Sequence, residues 1–134
     1  MQVSDFLLPK DKVAYITSSV SMLEAAEKLQ HHHYTAIPII DLAGKYIGTL
    51  SEGDILWKMK ETPGLTFENM GSVPITEIRN RFHNECVPID ASMEDMLTLA
   101  ADQNFIPVID KNKQFAGIIR RKDIIEYYNR NITD

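Results

Sequence analysis

Thiol chemistry is nearly absent from this chain: of its 134 residues only Cys86 is a cysteine. One cysteine cannot form an intrachain disulfide, so packing alone has to hold the fold, and a reducing cytoplasm is the natural compartment. Apolar runs are short. No window approaches the length of a membrane span, and the opening MQVSDFLLPKDK has no apolar core of signal-peptide size. A cytoplasmic protein with no membrane partner is expected. Basic excess is missing too: 14 Lys and Arg stand against 19 Asp and Glu, for a net charge of −5. That balance argues against the cationic face that a nucleic-acid binder sets against phosphate. A mononucleotide or dinucleotide needs only one or two cations and stays open. No Gly-rich phosphate loop, nucleophile elbow or paired-carboxylate constellation occurs, so an enzyme is not expected.

The chain does contain an internal repeat. YTAIPIIDLAGKYIGTLSEGD at Tyr34 to Asp54 returns as FIPVIDKNKQFAGIIRRKD at Phe105 to Asp123. Pro38 answers to Pro107, Asp41 to Asp110, Gly48 to Gly117 and Asp54 to Asp123, every pair 69 residues apart. Earlier, Val3-Ser4-Asp5-Phe6 is echoed by Ile75-Thr76-Glu77-Ile78 at an offset of 72, and Ser21 by Ser92 at 71. The sliding offset means that the second copy is two residues shorter between its first helix and its central strand. The partition expected is a first repeat over 1–60, a linker over 61–74 carrying Pro63, Gly64 and Gly71, and a second repeat over 75–134.

Each copy reads as strand–helix–strand–strand–helix, an α+β or α/β arrangement. Val3 to Leu8 suits a helical turn capped by Ser4 and stopped by Pro9. Val13 to Ile16 has strand length. Ser21 caps a helix whose Met22, Leu23, Ala25, Ala26 and Leu29 make an apolar stripe, with Glu24 at the capping-box position and His31 to His33 at its end. Ala36 to Ile40 and Tyr46 to Leu50 are strands joined by a turn at Gly44, and Ser51 caps the next helix. In the second copy Val87 to Ile89 is a strand, and Ser92 caps a helix with Met93, Met96, Leu97 and Ala100 on one face. Strands follow at Ile106 to Ile109 and Phe115 to Ile119. A closing helix then runs through Ile124, Ile125 and Tyr128.

The AIPIID and IPVID strands, the Gly48 and Gly117 strands and the closing S-E-G-D and R-R-K-D turns together resemble the cystathionine-β-synthase (CBS) domain pair over nearly the whole chain. Lys12-Val13-Ala14, Tyr34-Thr35-Ala36-Ile37-Pro38, Arg120-Arg121 and the shortened second copy are similar to the small cyclic-di-AMP-binding CBS proteins of the DarB/CbpB type. The resemblance implies two repeats packed by their sheets with pseudo-twofold symmetry and adenine nucleotides held in the clefts between them. It implies a first cleft made by Lys12, Val13, Ala14, Tyr34, Thr35, Ala36 and Ile37 with Arg120, Arg121 and Asp123. The second cleft would combine Val87, Phe105 and Ile106 with Ser51, Glu52 and Asp54. There Glu52 replaces a cation, so that cleft is expected to be empty or weakly filled.

The residue types suit the roles. An Asp in a first helical turn accepts ribose hydroxyls, helix-start N–H groups favour an anion, and two guanidinium forks match phosphate oxygens. Main-chain groups at Ala14 and Ala36 could read an adenine edge. Blander readings stand beside these: Asp123 as a carboxylate favoured by the helix dipole, Arg120 and Arg121 as a solvated pair, Tyr34 as packing. His31 to His33 point about 100° apart on a helix and do not converge on one metal ion. Cys86, with only His83 nearby, reads as a buried thiol. The expected protein is a ligand-sensing regulatory module for an adenine nucleotide, cyclic di-AMP first and AMP, ADP or ATP as the alternative, with no cofactor. It would relay occupancy to an unidentified regulated protein and form a homodimer through apolar helix faces. A scaffold with vestigial clefts is the rival from another class.

Overall fold

A computed structural model of the chain describes residues 2–78 and 84–133, the side chains of 131–133 excepted. The elements in order are β1 (Leu8–Pro9), β2 (Ile16–Thr17), α1 (Met22–His32), β3 (Ala36–Ile40), β4 (Tyr46–Ser51) and α2 (Glu52–Glu61), then β5 (Val87–Pro88), α3 (Met96–Ala100), β6 (Phe105–Ile109), β7 (Phe115–Arg120) and α4 (Arg121–Thr133). The fold is mixed α+β with two copies of strand–helix–strand–strand–helix, as the repeat requires.

The described residues divide into two compact units, 14–78 and the pair 2–13 with 84–133. These packing units and the sequence repeats are different partitions of the chain. Each repeat begins with a 3-10 turn, Val3–Phe6 and Ile75–Glu77, and each turn packs into the unit that holds most of the other repeat. Val3 is buried among Met93, Met96, Ile106, Ile119 and Ile124, and Ile75 among Ile16, Met22, Ile37 and Leu50. The backbone repeats the exchange: Val3 N–H donates to Ala91 O at 2.8 Å and Ile75 N–H to Val20 O at 3.2 Å. The 61–74 stretch is not bare connection, since Met70–Ser72 makes another 3-10 turn and Met70 is fully buried beside Ala25 and Leu29.

One unit carries a sheet in the order β2-β3-β4, and the other carries β1-β7-β6-β5. The β3–β4 and β6–β7 hairpins correspond residue by residue, including a register shift at Ile39/Ile40 and another at Val108/Ile109. Their tips explain the paired aspartates. Asp41 Oδ1 accepts the N–H groups of Ala43 and Lys45 at 2.9 Å each, and Asp110 Oδ1 those of Asn112 and Gln114 at 2.8 and 3.0 Å. Gly44 takes φ 88° here, and Lys113 takes φ 64° at the matching place, without the glycine that would make it easy. The strand prolines fit because the parallel neighbours β2 and β5 begin pairing only at Ile39 and Val108, one residue beyond Pro38 and Pro107.

Several local expectations need correction. Gln2, not Ser4, caps the first turn in a reciprocal box with Asp5, and Pro9 sits in a strand rather than stopping a helix. The strand placed at Val13 to Ile16 forms at Ile16–Thr17, so Val13 and Ala14 precede it. The helix after Ser92 is a 3-10 turn at Met93–Asp95 followed by only five α residues, and Leu97 is 55 % exposed, off the buried face of Met93, Met96 and Ala100. The missing two residues are taken from this helix. On α4 it is Ile124 and Tyr127 that are buried, with Ile125 outside.

Candidate functional site

The ten residues singled out in the sequence divide between the units. Lys12, Val13, Arg120, Arg121 and Asp123 belong to one, and Ala14, Tyr34, Thr35, Ala36 and Ile37 to the other. In the first group, β7 delivers Arg120 at its last position and α4 opens with Arg121. Asp123, 6 % exposed, holds its neighbour in a fork: Arg120 Nε donates to Oδ2 at 2.9 Å and Nη2 to Oδ1 at 3.0 Å. Oδ2 also accepts the Arg120 backbone N–H at 3.1 Å, which caps the helix start. Arg121 is half-buried, and its Nε donates to the Ala100 carbonyl at 2.9 Å, at the C-terminal end of α3. Its N–H donates to Asn104 O at 3.1 Å. Both arginines are thus seated by their own unit rather than solvated as a loose pair. These bonds hold both guanidinium planes in place.

The corresponding turn of the other unit has the same backbone and the opposite charge. Ser51 stands where Arg120 does, Glu52 where Arg121 does and Gly53 where Lys122 does. Ser51 and Asp54 close a full capping box, Asp54 N–H to Ser51 Oγ at 3.1 Å and Ser51 N–H to Asp54 Oδ2 at 2.9 Å. Replacing the capping hydroxyl by Arg120 gives up one cap bond and gains a cation. Lys122, exposed beside the two arginines, was passed over in the sequence reading; its signal is that it replaces Gly53. S-E-G-D is an acidic, self-satisfied turn, and R-R-K-D is a cationic one. Val87, Phe105 and Ile106, drawn into the second candidate set, are all buried.

Ile37 and Ala14 of the other unit are 0 % and 8 % exposed and Val13 of the first is 6 % exposed, so the side chains of all three are buried and only their backbone groups could be reached. Ala36 already sits in the β3–β4 ladder opposite Ser51, whereas Ala14 lies ahead of β2. Thr35 is exposed, and its carbonyl accepts the Glu52 N–H at 2.9 Å. Tyr34 is half-buried, its ring centroid 5.5 Å from that of His32, and it lines a groove of about 560 Å³ with Leu29, Ile55, Met59 and Phe67.

Cys86 is exposed, not buried as expected, though partial desolvation pushes its thiol up to about 11. His83 lies outside the described residues. Among the described residues no three His, Cys, Asp or Glu side chains are grouped to hold a metal ion, and no helix is long and apolar enough to cross a membrane.

Comparison with known proteins gives this geometry its setting. The chain is 22% identical over 134 residues to the cyclic di-AMP receptor B of Bacillus subtilis, covering 97% of this chain and 88% of the relative. It is 25% identical over 122 residues to a homoserine O-acetyltransferase of Methanohalobium evestigatum, covering 91% of this chain but only 23% of that enzyme's length. Among solved structures, CbpB in complex with c-di-AMP superposes with a TM-score of 0.84 at 26% identity, over 100% of this chain and 88% of that one. The CBS domain model matches twice, over residues 3–61 and 70–130. By that double match, spanning both repeats, the chain belongs to the CBS domain family.

Proposed function

We propose that this CBS pair is a regulatory sensor of an adenine nucleotide, with cyclic di-AMP as its ligand, and that occupancy is relayed to a partner protein. The observation that carries the reading is the R-R-K-D turn. A buried Asp123 and two seated arginines stand where the first repeat has a closed, acidic S-E-G-D cap. A scaffold with idle sites has no use for a helix start whose cap has been exchanged for cations. Lys12 and Val13, in the same unit as this turn, would supply further contacts. The ligand is regulatory rather than a cofactor, and no catalytic step is assigned to any residue. The relatives named above support the nucleotide class.

Apolar helix residues left outside, Leu56 at 60 %, Leu97 at 55 % and Ile125 at 53 % exposure, support a homodimer through the helix faces. The test is a calorimetric titration of cyclic di-AMP, AMP and ATP against the chain, with sedimentation of the same sample. Expected are one site per chain, tightest for cyclic di-AMP, and a dimer at micromolar concentration. No heat with any of the three would overturn the reading. Two equivalent sites per chain would overturn the assignment to the R-R-K-D side.

A further inference from the structure

Residues 2–12 belong to the first repeat by sequence and to the second repeat's unit by packing. Val3 is fully buried in that unit's core, and β1 then adds antiparallel to β7, with Leu8 opposite Ile118 and Pro9 opposite Gly117. The 3-10 turn Lys10–Lys12 packs against β7 in its turn, closed by Val13 N–H to Lys10 O at 3.2 Å. At Gly117 the two strands come closer than any side chain permits. A Cβ built there would lie 2.1 Å from the Leu8 carbonyl oxygen and 3.0 Å from both Pro9 Cα and Leu7 Cδ1, and φ is +151°. Glycine is demanded by the approach and by the backbone conformation together.

Between these points the hold is lighter: Phe6 and Leu7 are half-buried against the same core, Phe6 edge-on to Tyr127 with ring centroids 5.6 Å apart. β1 has two residues, both only partly buried, and one of them is a proline with no N–H for the ladder. The fully buried Val3 at one end and the Gly117 contact at the other are the two tightest anchors of the segment. Three residues after Gly117, the same strand ends in Arg120. The far end of the docked segment is Lys12 and Val13.

We propose that residues 2–12 are a strap, locked on β7 by Gly117, which sets Lys12 and Val13 in register with the Arg120–Arg121 turn, so that strap docking and nucleotide occupancy favour each other. This rests on the nucleotide-binding reading above. The coupling is reciprocal, since whatever binds the docked form better must also hold the strap down. Apparent affinity scales with the fraction of chains whose strap is docked, so release in nine chains of ten weakens binding about ten-fold.

Hydrogen exchange read by mass spectrometry on the full chain, with and without cyclic di-AMP, tests this beside calorimetric affinities. Without ligand, Gly117→Ala should speed exchange in peptides covering 2–12 and leave those covering 14–78 unchanged. In the parent, cyclic di-AMP should slow exchange in 2–12, and Gly117→Ala should bind about ten-fold more weakly or worse. Val3→Ser loosens the strap at its other anchor, keeps Gly117, and should reproduce both changes; it decides the matter if Gly117→Ala does not fold. Equal exchange of 2–12 in parent and variants would overturn the strap. Faster exchange with unaltered affinity would overturn the coupling. A parent that binds no adenine nucleotide overturns the functional reading and the coupling with it, while the ligand-free comparison still decides whether Gly117 holds the strap.

Discussion

Arg121→Ala separates a structural from a ligand-binding role with numbers drawn from the geometry. In the free protein the side chain donates a hydrogen bond from Nε to the Ala100 carbonyl at 2.9 Å. That bond satisfies a carbonyl at the end of α3, where helix geometry supplies no donor. Its loss should cost about 1 kcal/mol, the net value of a partly exposed hydrogen bond. A domain stable by several kcal/mol stays folded after such a loss, and the urea midpoint should fall by roughly 0.5–1 M. A charge-assisted contact to phosphate is worth about 1.5–3 kcal/mol, so cyclic di-AMP affinity should drop about ten-fold to more than a hundred-fold. Partial unfolding cannot produce a drop of that size. Arg121→Lys keeps the charge but not the fork. It should lose as much stability as the alanine variant and less affinity. The assay is calorimetry on all three proteins beside urea titrations followed by circular dichroism. An Arg121→Ala protein that stays folded and binds cyclic di-AMP as the parent does would refute the placement of phosphate at this turn.

Three further outcomes are expected. Asp123→Ala should weaken AMP more than cyclic di-AMP, because AMP offers two free ribose hydroxyls per nucleoside and the cyclic dinucleotide one; parallel titrations giving the reverse order would remove Asp123 from the ribose. Lys113→Gly should raise stability by about 0.5–1 kcal/mol, since φ 64° is strained for a residue with a Cβ, and a lowered urea midpoint would show that the loop tolerates lysine at no cost. Hydrogen bonds from Ser92 and Tyr127 hold the Glu94 carboxyl down to about 2, below the usual carboxylate range. Its contribution to stability is therefore complete above about pH 4.5 and is lost as the pH falls towards 2. Tyr127→Phe should flatten this acid limb of an unfolding curve, and an unchanged limb would assign it to other groups.

Much of the fold was legible because two copies of one pattern check each other. Paired landmarks such as Asp41 with Asp110 located both hairpin tips, and Ser21 and Ser51 marked helix starts through chemistry that acts within three residues. The contrast between S-E-G-D and R-R-K-D was legible for the same reason. Long-range facts were not. Nothing near Val3 announces that it packs with Met93 and Ile124, and nothing near Gly117 announces Leu8, because each partner lies about 90 residues or more away along the chain. Leu97 was put on the buried face of the helix after Ser92 because it is apolar at helical spacing, and nothing local marks the first turn, Met93–Asp95, as 3-10 rather than α. Cys86 was misplaced because a lone thiol carries no periodicity from which burial follows.

The exchange of leading turns also sets an order of assembly during synthesis. Residues 14–78 hold their whole core within one contiguous stretch. They can close as soon as that stretch has left the ribosome. The other core needs Val3 from the beginning of the chain and Ile119 and Ile124 from near its end, so its first contributor waits for its last. Closing so long a loop costs only slightly more entropy than closing a short one, but non-local contacts of this kind slow folding. The unit with the cationic turn is therefore completed last, after its neighbour in sequence has already formed.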